Sequence, residues 1–128
     1  MANIILADDD EGYCMVVRDF LIDRGHQVAV VYSATHLRAL LLTVSPDLMI
    51  IDMHMPGGGG PAAMKSFRDL GINHKPVIVC SGMPAEHTTK WALDQGLTSA
   101  RCFQKPPNFA EFGKAVDELL KPPPTAGA

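Results

Sequence analysis

The sequence predicts an α/β fold, a single parallel sheet with helices on both faces. Three observations carry that prediction. Leu48-Met49-Ile50-Ile51 is an unbroken apolar run, the mark of a strand buried on both faces, and it stops at a carboxylate, Asp52. Short apolar or β-branched runs alternate with stretches of helical spacing, five of each, which is the pattern of βα units. At 128 residues, 47% hydrophobic and 20% charged, the chain can bury one domain-sized core.

In chain order, Ile4 to Ala7 reads as the first strand and runs into Asp8-Asp9-Asp10-Glu11. Tyr13, Val16, Val17, Phe20 and Leu21 recur at helical spacing, and Gly25 stands where that helix should stop. Gln27 to Tyr32 is β-branched and predicts the second strand. Ser33 is an N-cap candidate for a helix striped by Leu37, Leu40, Leu41 and Val44, and Ser45-Pro46 ends it. After the third strand, Gly57 to Gly60 reads as a flexible loop. Pro61 then suits the first turn of a helix with Ala63, Phe67 and Leu70 inward and Gly71 as the stop. Pro76 to Cys80 predicts strand four and leads into Ser81-Gly82. Ala85 to Gln95 predicts a weaker helix, because Thr88 and Thr89 lower its propensity. Ala100 to Gln104 is a short fifth strand before Lys105-Pro106-Pro107. Asn108, with Glu111 three residues on, resembles a capping box ahead of Phe109, Phe112, Val116, Leu119 and Leu120. The domain is therefore set at residues 1–121, with 122–128 a Pro-rich tail or linker stub.

Composition narrows the function. A net charge of −3 with no Lys/Arg cluster argues against direct nucleic-acid binding. No apolar run reaches the roughly 18 residues of a membrane span, and no basic leader precedes the first strand, so no membrane association is expected. Cys14, Cys80 and Cys102 lack C-x-x-C spacing and read as reduced thiols of a cytoplasmic protein, ahead of a disulfide with one cysteine left over. The five histidines lack metal spacing. Trp91 fits either the core or the face of the fourth helix.

Parallel strands deliver their carboxyl ends to one edge, where ligands of open α/β sheets bind. Strand one brings Asp8 and Asp9, strand three Asp52, strand four Ser81 and strand five Lys105. Carboxylates about 4 Å apart repel by roughly 4 kcal/mol at an effective dielectric of about 20. Such a cluster demands a cation beyond Lys105, and oxygen-only ligation suits Mg²⁺. A metal, an ammonium, a hydroxyl and a carboxylate nucleophile are the parts needed to accept a phosphoryl group. Taken singly, each motif has a plainer explanation: an acidic helix start, a turn-capping aspartate, a surface lysine, a Ser-Gly turn. The glycine run lacks the Lys-Ser/Thr of a P-loop and does not fit G-x-G-x-x-G.

The chain resembles the receiver domain of two-component response regulators over residues 2 to 120. The matching stretches are I-I-L-A-D-D-D at 4–10, I-I-D-M-H-M-P at 50–56, Gly60, P-V-I-V-C-S-G at 76–82 and K-P at 105–106. The resemblance implies a flavodoxin-like (βα)5 sheet in the order 2-1-3-4-5. It implies that Asp52 accepts a phosphoryl group from a histidine kinase or phosphotransfer protein. Mg²⁺ would then be ligated by Asp9, Asp52 and the His54 backbone carbonyl, with Asp8 acting through water or tuning the pocket. Lys105 would pair with Asp52, Ser81 would be the switch hydroxyl, and Gly82 would leave the phosphoryl side open. The output surface would lie at about residues 84 to 120, serving a downstream protein or a fused output domain. No enzymatic turnover is expected beyond promoting its own phosphorylation and slow dephosphorylation.

Three departures from the family pattern stand out. The switch aromatic, three residues before the lysine, is replaced by Cys102, so either the usual coupling is lost or Phe103 substitutes through a local shift. The glycines after Asp52 suggest an unusually mobile segment. Met83 occupies a position that flanks the attacking water and cannot orient it, which is expected to slow loss of the phosphoryl group. Two other functions compete: a receiver-like interaction module without phosphate turnover, and a haloacid-dehalogenase-like phosphatase. The latter carries a second Asp two residues after the nucleophile, where this chain has His54.

Overall fold

The computed structural model describes residues 2–97 and 100–121. Five strands, β1 (Asn3–Ala7), β2 (Gln27–Val31), β3 (Leu48–Asp52), β4 (Val77–Ser81) and β5 (Arg101–Gln104), form one parallel sheet in the order β2-β1-β3-β4-β5. The order is the one implied by the resemblance. β3 and β4 are buried at every residue, whereas the edge strands β2 and β5 are half-buried, as their place in the sheet dictates.

The five helices are α1 (Glu11–Asp23), α2 (Ala34–Leu41), α3 (Gly59–Asp69), α4 (Ala85–Asp94) and α5 (Phe109–Leu120). Side chains alternate along each strand, so the sheet feeds two cores. On one face Ile4, Leu6, Leu48, Ile50, Ile78 and Cys80 pack against α1 and α5. On the other Ile5, Met49, Ile51, Val77 and Val79 pack against α2, α3 and α4. Trp91 is half-buried against this second core. Ser33 caps α2 by accepting from His36 N at 3.1 Å, and Asn108 caps α5 by accepting from Glu111 N at 3.1 Å.

Two expectations need correction. α2 ends at Leu41, and Leu42-Thr43 turn back before Ser45-Pro46 is reached. The glycine run is not simply a loop: α3 starts at Gly59, and Gly59 and Gly60 are both buried. Gly59 has φ +61°, and a Cβ there would lie 2.4 Å from the Met53 carbonyl oxygen. Gly60 N donates to that same oxygen at 2.8 Å. Close approach of α3 to the segment after Asp52, and not mobility, accounts for glycine here. All three cysteines are free thiols; Cys14 and Cys80 are buried and Cys102 is half-buried. No helix among the described residues is long and apolar enough to cross a membrane. The tail expected at 122–128 lies outside the described residues.

Candidate functional site at the carboxyl edge of the sheet

The parallel sheet carries Asp8, Asp9, Asp52, Ser81 and Lys105 to the same edge. Asp8 is buried at 1% exposure, Asp52 at 5% and Ser81 at 0%, while Asp9 is exposed. One carboxylate oxygen from each of Asp8, Asp9 and Asp52 falls within 4.8 Å of the others. Backbone bonds continue the ladder past the strand ends: Asp8 N donates to Val31 O at 3.1 Å, Met53 N to Cys80 O at 3.0 Å, and Lys105 N to Ser81 O at 2.8 Å. The site therefore hangs on the ends of the sheet itself, with the Lys105–Pro106 peptide cis.

Lys105 crosses this cluster. Its Nζ lies 2.7 Å from Asp8 Oδ2 and 3.5 Å from Asp52 Oδ2. The pairing with Asp52 that the resemblance implied is present, and Asp8 is a second, nearer partner. Burial pulls the Lys105 ammonium down, but the two carboxylates outweigh that and hold it above its ordinary range. Burial pushes the Asp52 carboxyl above the usual carboxylate range, and Asp8 adds to the rise. The His54 N–H, donating to Asp52 Oδ1 at 3.2 Å, and Lys105 pull the other way. One ammonium does not neutralise three clustered carboxylates. The donor set is all oxygen and one member faces solvent, which fits a hard divalent cation that keeps part of its water.

The remaining expected residues sit around this centre. The His54 side chain is exposed and its backbone N–H serves Asp52. Ser81 Oγ accepts from Met83 N at 3.1 Å, while Met83 itself is 47% exposed. The space where Gly82 would carry a Cβ is open. Gln104 Nε2 donates to Gly82 O at 3.3 Å, tying β5 to the loop after Ser81. Phe103 does not substitute for the missing switch aromatic. It faces the α1–α5 side, edge-on to Phe112 at 5.7 Å, because neighbouring residues of a strand point to opposite faces. Cys102 takes the other face, against α4, beside Thr89, and burial raises its thiol pKa.

Sequence reasoning missed one member of the site. Tyr13, read only as part of a helical stripe, lays its ring 4.7 Å from Lys105 Nζ. Its hydroxyl is buried, next to the Cys80 thiol, without a hydrogen bond of ordinary geometry. The available signal was its place in the first turn after the acidic run, which aims it back at the sheet edge.

Known proteins agree on the neighbourhood. The family model of the response regulator receiver domain matches residues 4–117. The chain is similar to the Sensory/regulatory protein RpfC of Xanthomonas campestris pv. campestris, 33% identical over 120 residues, covering 91% of this chain and 16% of RpfC. It is similar to Protein PilH of Pseudomonas aeruginosa, 29% identical over 97 residues, covering 75% of this chain and 80% of PilH. Among solved structures, the Francisella response regulator 1452 receiver domain superposes with a TM-score of 0.83 at 24% identity, over 94% of this chain and 97% of that one. The Thermotoga maritima response regulator TrrA in complex with Mg²⁺-BeF superposes at 0.79 with 20% identity, over 94% and 100%. At such identities the structures speak to the fold. The chain spans only a small part of RpfC, and 26% of the transcriptional regulatory protein ZraR of Salmonella typhimurium.

Proposed function

The chain belongs to the response regulator receiver domains, and from that membership we propose that it is a phosphoryl-accepting switch, taking the group onto Asp52 from a phosphohistidine of a partner kinase or phosphotransfer protein in the cytoplasm. The observation that carries this reading is the meeting of Asp8, Asp9 and Asp52 within 4.8 Å, with Lys105 spanning Asp8 and Asp52.

The chemistry follows from the charges. An Asp52 oxygen attacks phosphorus; the P–O bond forms as the P–N bond to the donor imidazole breaks, and the electron pair leaves with that nitrogen. Asp9 and Asp52, with the His54 carbonyl as a further ligand and Asp8 through water, would hold Mg²⁺, which would supply charge neutralisation at the phosphoryl oxygens. Lys105 has to share its ammonium between Asp8 and the arriving oxygens. The Ser81 hydroxyl turns from Met83 N toward the phosphoryl group. Phosphorylation then shifts a pre-existing equilibrium at the α4–β5–α5 surface, which serves a downstream protein or a fused output domain.

The test is covalent labelling. Incubation with Mg²⁺ and acetyl phosphate is expected to add one phosphoryl group, labile to hydroxylamine and located on Asp52 by mass spectrometry. Asp52→Asn or chelation of the metal abolishes it. An unlabelled, folded parent would overturn the reading in favour of an interaction module without phosphate turnover. Cys102 in place of the switch aromatic is the observation that favours that alternative.

A further inference from the structure

The contacts around Asp8 close on themselves. Asp8 Oδ2 takes the Lys105 ammonium at 2.7 Å and Asp8 Oδ1 accepts from Asp10 N at 3.0 Å. Asp10 Oδ1, as the N-cap of α1, accepts from Tyr13 N at 3.0 Å. The Tyr13 ring returns to Lys105 Nζ at 4.7 Å. The circuit runs carboxylate, cap, ring, ammonium, and back to the carboxylate. All but the lysine come from six consecutive residues, Asp8 to Tyr13.

We propose that Tyr13 is a positioning residue of the phosphoryl-accepting site, its ring face holding the Lys105 ammonium in the Asp8-bound setting, beside Asp52 and ready to turn to an arriving phosphoryl oxygen. The inference rests on the phosphoryl-acceptor reading above and deepens it. Lysine is a flexible stem with a compact charge, so two carboxylates alone leave it several settings. A ring face supplies a third, weaker attraction that does not compete for the N–H donors. Those donors remain with Asp8 and Asp52, and one can pass to a phosphoryl oxygen without the ammonium leaving the ring. The position of the ring is itself determined, because the Asp10 cap fixes the first turn of α1 and Val17 and Leu21 anchor the same helix in the core. The buried hydroxyl adds nothing to this by hydrogen bonding. The ring, and not the phenol oxygen, is the operative group.

Tyr13→Phe keeps the ring and Tyr13→Leu removes it. Two readouts separate positioning from mere packing: the rate of Asp52 labelling by acetyl phosphate at saturating Mg²⁺, and the ring-current displacement of the Lys105 ε-methylene resonances in the unlabelled protein. The expected result is parent-like behaviour for Tyr13→Phe. For Tyr13→Leu, labelling slows about tenfold, the scale of a partly desolvated cation–π contact, and the displacement is lost. Both are measured below the thermal midpoint of each variant, with Tyr13→Met as the ring-free variant if the leucine protein does not fold. A ring-free variant that labels at the parent rate overturns the proposal. So does a phenylalanine variant as slow as the leucine one, or a Lys105 resonance insensitive to the ring. A parent that folds but does not label defeats the phosphoryl-acceptor reading alone, since the Lys105 resonances still report whether the ring holds the ammonium.

Discussion

The helices that flank the site begin in two different ways. α1 and α5 start on side-chain caps, Asp10 to Tyr13 N and Asn108 to Glu111 N, whereas α3 and α4 start at Gly58 and Pro84 with no side-chain cap. The capped pair follows the acidic pair and the lysine; the uncapped pair follows Asp52 and Ser81. The cores beneath differ in the same sense. Under α1 and α5, Phe20, Phe103, Phe109 and Phe112 meet with ring centroids 5.2 to 6.0 Å apart. Gly113 lets this happen, since a Cβ there would lie 2.9 Å from the tip of Phe20. Arg24 closes the seam, stacked over Phe20 and paired with Asp117. Under α4 the contacts come from Ala92, Leu97 and the half-buried Trp91 and Cys102, with a buried Thr88. By strand alternation Asp8, Asp52 and Lys105 share the braced α1–α5 face with Leu6, Ile50 and Phe103, whereas Ser81, two residues after Val79, stands on the less braced one. Local opening should be cheapest where such bracing is absent.

The largest effect expected from this contrast is in the aromatic layer. Phe112 is fully buried at the centre of the cluster. Phe112→Ala should cost about 3–5 kcal/mol in denaturant unfolding, through lost transfer energy plus a cavity. Trp91→Ala removes a larger ring that is only half-buried, and should cost less. Equal costs for the two would erase the distinction between the layers.

A smaller effect sharpens it. Asn108→Ala removes the α5 cap bond and should cost about 1 kcal/mol of stability. Native-state hydrogen exchange should show the loss first in the amides of the opening turn of α5, bringing them toward the level of α4. If the α4 amides are already as protected as those of α5 in the parent, the caps do not set the difference.

Much of this was legible in the sequence because it depends on period. Alternation of runs gave the sheet, and the apolar stop at Asp52 located its edge. The strand ends then named Asp8, Asp9, Ser81 and Lys105 without knowledge of side-chain rotamers. Contacts that depend on rotamers and close approach were not legible. Lys105 chooses Asp8 over Asp52 by fractions of an ångström, and Tyr13 reaches Lys105 across 92 residues of chain. Gly59 and Gly60 look like slack in a one-dimensional reading, yet they are where α3 touches the Met53 carbonyl. Phe103 beside Cys102 is a case where strand alternation, applied strictly, would have decided the matter: one residue of register means the opposite core.

The smallest effect concerns Asp52, whose side chain shares the braced face although the helix after it is uncapped. In the metal-free protein the folded state raises the Asp52 carboxyl above its unfolded value, chiefly through burial. The folded state therefore binds more protons than the unfolded one between those two values, and stability falls as pH rises through that window. Above both values the whole penalty is present. Asp52→Asn is a neutral stand-in for the protonated acid, so in chelator at pH 7 its thermal midpoint should exceed that of the parent. Below the unfolded carboxylate value of about 3.9 the two should converge. Mg²⁺ should narrow the gap from the other side, since it stabilises only the chain that holds it by linkage. A parent more stable than Asp52→Asn in chelator at pH 7 would mean that Lys105 and the His54 N–H already outweigh the burial of Asp52. The partners of Asp52, and not the depth of its burial, would then set its charge state.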